Sequence, residues 1–406
     1  MQTSRVSCQR FRWYFSSLSR LFATGLLSSL CLMSSRVLSA QEAGLNPTPL
    51  AIGAGNVIVN SKFGGQIFGF DIDQNGTEGV LTESQLITGG LTLSAIETFD
   101  QKTGVILKVE QELQSKDDFL TLGVVGNGIG LVEREHVKKL FVDSRTYSVL
   151  RPLGVNKITG RWTPPLPKSD VIISMSRSQG VPNAAVLVDG SSNRYVFGSN
   201  IGSNTFGRKI ILTNPVFFGG LPPAMAYDIK TNSAVVAEST GARAGPPPVI
   251  AIVNLSTGKT TEFLGLPGSQ SNGPGSVNGI AVDSADGIAC TTTEFDGQVE
   301  FYDLKKKSGF SVTLPNFTSE LQGGMDVEFD PVHKLFFVAQ PTSSTSSGSS
   351  IQVYDTKGNL VESLNGFNFS NFAAAIFVHI ALNPLKRSGF IDGPSNGVTQ
   401  IQSFTY

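Results

Sequence analysis

The feature that most restricts what this chain can fold into is a repeated unit, clearest at residues 276–304, SVNGIAVDSADGIACTTTEFDGQVEFYDL. Residues 279–282 read as a small-residue strand ending at Asp283. Residues 287–293 form a second strand after a Ser-Ala-Asp-Gly turn, and 298–304 a third that sets Val299 and Phe301 against polar neighbours. The strand ending in Asp or Asn recurs at 94–100 (SAIETFD), 224–228 (AMAYD), 278–283 (NGIAVD), 325–330 (MDVEFD) and 378–383 (VHIALN), the last four anchors lying 55, 47 and 53 residues apart. Apolar second strands follow at 104–109, 234–237, 287–290, 335–339 and 389–391, and third strands at 249–254, 298–303, 350–355 and 398–404. Fourth strands are visible at 259–264, 310–314 and 359–364.

Four short antiparallel strands repeating every ~40–55 residues are the signature of a propeller blade, which buries its faces only against its neighbours. The fold is therefore read as all-β, a seven-bladed β-propeller, with eight or six blades as alternatives. A two-sheet sandwich or a β-helix does not explain a four-strand unit of this length. In the N-terminal half, 56–60, 66–71 and 79–83 read as strands two to four of a first blade, 130–135 with 140–143 as the opening of another, and 171–176, 184–189, 194–198 and 209–213 as one more. Residues 151–167 are irregular. The last strand, 398–406, leaves an edge that something must cover, and 45–52 is expected to do so. No stretch carries a helical pattern, and 342–350 (TSSTSSGSS) and 238–248 (ESTGARAGPPP) are loops between second and third strands.

Composition agrees with this class: charged residues are 16 %, against ~25 % in ordinary soluble domains, while Gly 44 and Pro 20 supply turns. A formal net charge of −1 gives no electrostatic reason to propose nucleic acid or a membrane surface as partner. The first forty residues stand apart. Arg5, Arg10, Arg12 and Arg20 precede a largely apolar run at 21–33, and Val37-Leu38-Ser39-Ala40 offers small residues for cleavage, so 1–40 is read as a signal peptide and 41–406 as one propeller domain, secreted or periplasmic. The run is short for a membrane span, which needs ~20 residues. Leu30 before Cys31 does not suit lipoprotein processing. Removal of the leader takes Cys8 and Cys31 with it and leaves Cys290, which lies in an apolar strand and reads as a buried small hydrophobe. One cysteine excludes a cysteine-based metal cage.

The segment VNGIAVDSADGIACTTT at 277–293, with its echo GGMDVEFDPVHKLFFVA at 323–339, resembles the NHL/YVTN-type propellers and the gluconolactonase-like group that includes senescence marker protein and strictosidine synthase. The resemblance implies one divalent cation in the central channel, held by a Glu, an Asn and an Asp. Asn278 stands where that group's Asn-Gly motif carries its ligand. The group's following Pro-Asp-Gly is replaced by Gln322-Gly323-Gly324, a departure that removes an acid the lactonase chemistry needs.

In a propeller the first strand of each blade lines the channel, and its starting end shares one face with the loops joining second to third strands. That face is expected to gather Lys62, Glu238, Arg243, Asn278, Glu294, Asp296, Asp326, Gln340, His379 and Asp392. Carboxylates with an Asn are the hard ligands that Ca²⁺ or Mg²⁺ prefers, so Glu238, Asn278, Glu294 and Asp326 are the candidate metal ligands. Such a cation would polarise a lactone or ester carbonyl; the bland alternative is that these are ordinary solvated loop acids. Phe63, Arg243, the 246–248 proline run, Phe295 and His379 are the candidate contacts for a protein, glycan or small ligand. His379 also reads as a histidine bonded within the channel wall, and His136 and His333 as exposed turn residues. Asp100, Asp228, Asp283 and Asp330 occupy one repeat position and are expected to cap turns. No nucleophile elbow, phosphate loop or dinucleotide fingerprint is present. Two readings of different classes follow: an exported, monomeric binding propeller without catalytic residues, and a metal-dependent lactonase or esterase.

Overall fold

A computed structural model of the chain describes Arg36–Val37 and, between Ile52 and Tyr406, the strands and most of their turns. Residues 1–35, 38–51, 116–122, 151–157, 213–223, 239–246, 267–276, 294–296, 318–322, 341–348 and 368–377, with shorter pieces of other loops, lie outside the described residues. So do the leader apart from Arg36–Val37, most of the 45–52 segment, and the greater part of the 342–350 and 238–248 loops. The described residues are all-β apart from one 3₁₀ turn at Pro384–Lys386, and among them no helix is long and apolar enough to cross a membrane.

The strands build a β-propeller. In chain order of their first strands the sheets are A (Gln66–Ile72, Glu78–Ile87, Leu91–Asp100, Ile106–Ser115), B (Gly123–Gly126, Ile129–Lys138, Phe141–Leu150, Ile158–Trp162), and C (Val171–Ser178, Asn183–Asp189, Arg194–Asn200, Thr205–Phe206, Ile210–Ile211). Then come D (Ala224–Asp228, Ser233–Glu238, Val249–Asn254, Thr260–Leu264), E (Val277–Asp283, Ile288–Thr293, Gln298–Asp303, Ser308–Thr313), F (Asp326–Asp330, Leu335–Gln340, Ser350–Asp355, Leu360–Leu364) and G (Ile380–Asn383, Ser388–Ser395, Val398–Thr405, with Gly53–Asn60). Sheet C gains a sixth strand from Arg36–Val37, which runs parallel along Val171–Ser178. The first strands neighbour one another in the order A to G and back to A. The expectation of seven blades is corrected to the alternative of six: among the described residues there are six four-stranded blades, with the six-stranded sheet C beside them in the ring.

The first strands of D, E, F and G are buried along their whole length, because both their faces pack against neighbouring sheets. They therefore read as continuous runs of small and β-branched residues, without alternation. Most core clusters span two sheets, while one lies within sheet C. Ala185, Leu187 and Val196 of C meet Met225, Tyr227 and Val236 of D; Cys290, Val299 and Phe301 of E meet Val327, Phe336 and Val338 of F. Cys290 is fully buried, as expected, and burial pushes its thiol well above the ordinary range.

The N-terminal half corrects the strand assignment. Residues 94–100 belong to a third strand of sheet A, and 130–135 to a second strand of B, where His136 pairs with Ser144 inside the ladder and does not lie in a turn. The cover of the last strand is Gly53–Asn60, antiparallel to Val398–Thr405, while Ile52 is exposed and outside the ladder. An antiparallel partner needs a run able to offer its N–H and C=O groups in register, which GAGNVIVN does.

One turn type sets the face opposite the long loops. Asp228 Oδ1 accepts from Lys230 N, Asp283 Oδ1 from Ala285 N (3.0 Å), and Asp330 Oδ1 from Val332 N (2.8 Å) and His333 N (3.0 Å). Asp100, Asp303 and Asp355 do the same after third strands. Capping by Asp is thus the role of this repeat position. His333, bonded through Nδ1 to Asp330 Oδ2 at 2.7 Å, is half-buried and not exposed. In all these turns but that of Asp355, where Gly358 is the third, the fourth residue after the Asp takes a left-handed conformation, supplied by Gly287 (φ 77°) but at the equivalent place by Lys307 (φ 57°). A non-glycine residue is disfavoured there by ~1 kcal/mol. Lys307→Gly is accordingly expected to raise stability by about 0.5–1 kcal/mol, read as an upward shift of the urea midpoint; a lower midpoint contradicts this account of the turn.

Candidate functional site

Second-to-third and fourth-to-first connections share one face of the ring, and the second-to-third connections of D (239–248) and F (341–349) are long. At the channel mouth on this face the starts of the first strands of E, F and G come together. Asn278 is fully buried at a β-bulge, where the register shifts between Val277 and Gly279; bulges of this kind re-aim a side chain. Its Nδ2 donates to Met325 Sδ at 3.5 Å, and its Oδ1 is buried with no hydrogen-bond partner. A Cβ at Gly279 would lie 2.6 Å from Val327 N and 2.8 Å from Asp326 Cα, so only glycine lets E and F approach this closely. The Asn-Gly pair is first of all a packing device.

Asp326 points the other way. Its Oδ2 accepts from Ile380 N at 2.8 Å, tying the first strand of F to that of G. Ser176 makes the same kind of tie from C to D, its Oγ accepting from Tyr227 N at 2.9 Å. His379 is gripped by Asp392: the imidazole Nδ1 lies 2.9 Å from Oδ2, the His379 backbone N–H donates to Oδ1, and Asp392 N returns a bond to His379 O at 3.1 Å. This agrees with the channel-wall reading of His379, which is 8 % exposed. Gln340 Nε2 donates to Pro315 O, and its Oε1 accepts from Gln352 Nε2, both at 2.8 Å.

The structure thus brings Asn278 and Asp326 onto touching strands but turns their side chains to different neighbours. Glu238 ends the second strand of D, with no side-chain description. Arg243, Glu294, Phe295 and Asp296 lie outside the described residues. Phe63 is half-buried, with the Lys62 ammonium 5.4 Å from its ring centroid. Among the described residues, no group of three or more His, Cys, Asp and Glu side chains is arranged to hold a metal.

Sequence reasoning missed a second constellation on the same face. Glu83 and Glu97, from the second and third strands of A, are 1 % and 0 % exposed. They accept three backbone N–H groups of the loop from sheet G: Lys62 N to Glu97 Oε2 at 2.9 Å, Phe63 N to Glu83 Oε1 at 3.1 Å, and Gly65 N to Glu83 Oε2 at 2.8 Å. Burial, with the neighbouring Glu83 charge adding to it and the Lys62 N–H opposing, pushes Glu97 up to about 8. A signal was available: Ala95, Glu97 and Phe99 alternate onto one face of a strand, which placed this acid among apolar neighbours.

No family model matches the chain, and no curated protein does. Solved structures do. A structure of U3-55K is similar at 11 % identity and a TM-score of 0.55, over 86 % of this chain and 99 % of that one. The WD40 repeats of RRP9 give 11 % and 0.56 over 87 % and 99 %, and the hydrazine synthase of Kuenenia stuttgartiensis 10 % and 0.54 over 84 % and 96 %. At these identities the likeness is one of fold, a β-propeller.

Proposed function

We propose that the chain is an exported propeller that binds a protein, glycan or small ligand across its loop-rich face. The observation that carries this reading is the commitment of the channel-mouth side chains. Asp326, Asp392, His379 and Gln340 are spent on bonds that join or brace blades, and that leaves recognition to the loops of this face. Phe63, Arg243 and Phe295 on those loops are the contacts, with His379 at the floor. The basic start and apolar run of residues 1–33 support export. The propeller fold supports binding as a class of function and leaves the ligand open.

Binding to a glycan array and capture from the extract of the native host test this. Arg243→Ala with Phe295→Ala is expected to weaken binding at least ten-fold at an unchanged melting temperature; undiminished binding contradicts the assignment of the face. A metal-dependent lactonase of the gluconolactonase-like type is the second reading, favoured by the unpartnered, buried Asn278 Oδ1. It needs Ca²⁺ or Mg²⁺ on Glu238, Asn278, Glu294 and Asp326, and calcium and magnesium titrations followed by thermal shift decide it. No stabilisation ends that reading, and a shift lost in Asn278→Ala revives it.

A further inference from the structure

We propose that Glu83 and Glu97 form an alkali-sensitive latch on the ring seam, gripping the loop at residues 61–65 while the pair keeps one proton and releasing it when that proton leaves to solvent. The latch sits where the circle is closed between chain ends. Gly53–Asn60 completes sheet G, and the next five residues cross to the first strand of A. Within the loop, Gly64 N also reaches Ser61 O at 3.4 Å. The carboxylates come from diagonal positions, Glu83 opposite Ala95 and Glu97 opposite Leu81. They therefore point from one face of the sheet, and a second negative charge would meet the first in a buried place.

The charged groups facing Glu97 are few. Glu83 faces it from the second strand and Lys62 from the loop. On the first strand Asp71 lies at the far end, where its Oδ1 accepts from Ile72 N, and on the outer strand Glu97 is paired with Val109. Lys62 is exposed, with its ammonium turned over the Phe63 ring. Glu97 Oε1 is buried with no hydrogen-bond partner, so ionisation would leave a charge there without a donor. This inference does not depend on the proposed ligand face, although the loop it controls carries Phe63 to that face.

The test is amide hydrogen exchange on the full chain, corrected for base-catalysed intrinsic exchange. Between pH 6.5 and pH 9 the protection of the Lys62, Phe63 and Gly65 amides is expected to fall at least ten-fold relative to the Ile280 amide in sheet E. At the upper pH, one unit above the raised value, about nine in ten Glu97 side chains are ionised. Glu97→Gln is expected to keep these amides protected at both pH values. A smaller fall in the wild type, or an equal fall in Glu97→Gln, overturns the latch. Should that variant not fold, the carboxyl ¹³C shift of Glu97 in the wild-type chain decides alone: titration at or above pH 7 supports the proposal, and titration below pH 7 overturns it.

Discussion

Deleting residues 1–60 is expected to abolish the cooperative melting transition, because the deletion takes with it the outer strand of sheet G. That strand is Gly53–Asn60, whose ladder with Val398–Thr405 pairs Gly53 with Thr405, Ala54 with Phe404 and Val59 with Ile401. Side chains reinforce it: Val57 N donates to Ser403 Oγ at 3.2 Å and Gln402 Nε2 to Gly55 O at 3.0 Å. Val59 is fully buried in the cluster that joins Phe390 and Ile401 of sheet G to Phe70, Leu81 and Phe99 of sheet A. Ladder bonds at ~1 kcal/mol each and the uncovered apolar surface at ~25 cal/mol/Å² together reach at least ~5 kcal/mol. That is the lower end of what a whole domain has to spare, ~5–15 kcal/mol. A residual cooperative transition in the 1–60 deletion would show that the strand is dispensable.

Tyr406→Ala is expected to cost about 3–5 kcal/mol, the range for removing a fully buried aromatic. The ring is 3 % exposed, centred 4.4 Å from Phe337 and 6.1 Å from Phe404, with the Arg387 guanidinium 5.9 Å above it. Its hydroxyl donates to Asp330 Oδ2 at 2.8 Å, so the side chain also ties the turn of F to the end of G. Burial, with the Asp330 charge beside it, pushes the phenol well above its ordinary value. Tyr406→Phe keeps the packing and is expected to cost only ~1–2 kcal/mol, the loss of one hydrogen bond to a charged acceptor. Urea titrations of the three proteins check the order; equal losses in both variants would mean that the hydroxyl, and not the ring, holds the seam.

Most of the C-terminal half was legible because each blade there repeats the same order of signals, so Ala224–Asp228, Val277–Asp283 and Asp326–Asp330 fall where the anchors put them. The N-terminal half was misread for a physical reason. First and third strands both end on the short-turn face, and the Asp that caps the turn after Asp283 also caps the turn after Asp303 and after Asp100. The Asp marks a face of the ring and not a strand number, so aligning 94–100 with first strands moved sheet A by two strands. The blade count went astray because sheet C, read as one more four-stranded blade, has six strands: its outer strand splits into Thr205–Phe206 and Ile210–Ile211 and Arg36–Val37 is added to it, neither of which a periodicity announces. At the site, Asp326 and Asn278 were recognisable as residues at the channel mouth. Where their side chains turn depends on a bulge at Val277/Gly279 and on the next blade, neither of which a single strand encodes. The Glu83–Glu97 pair was hidden by the same shift of strand numbering.

The closure of the ring by the two ends of the chain is tested most directly by a disulfide across its seam. Asn60 and Gln400 are paired residues 340 apart in sequence, joined through their side chains. With Cys8 and Cys31 changed to serine and Cys290 buried, Asn60→Cys with Gln400→Cys is expected to form an intramolecular bond on mild oxidation. The product is a monomer whose tryptic digest links the peptides containing residues 60 and 400. Oxidation that yields only free thiols or intermolecular dimers would contradict the closed propeller.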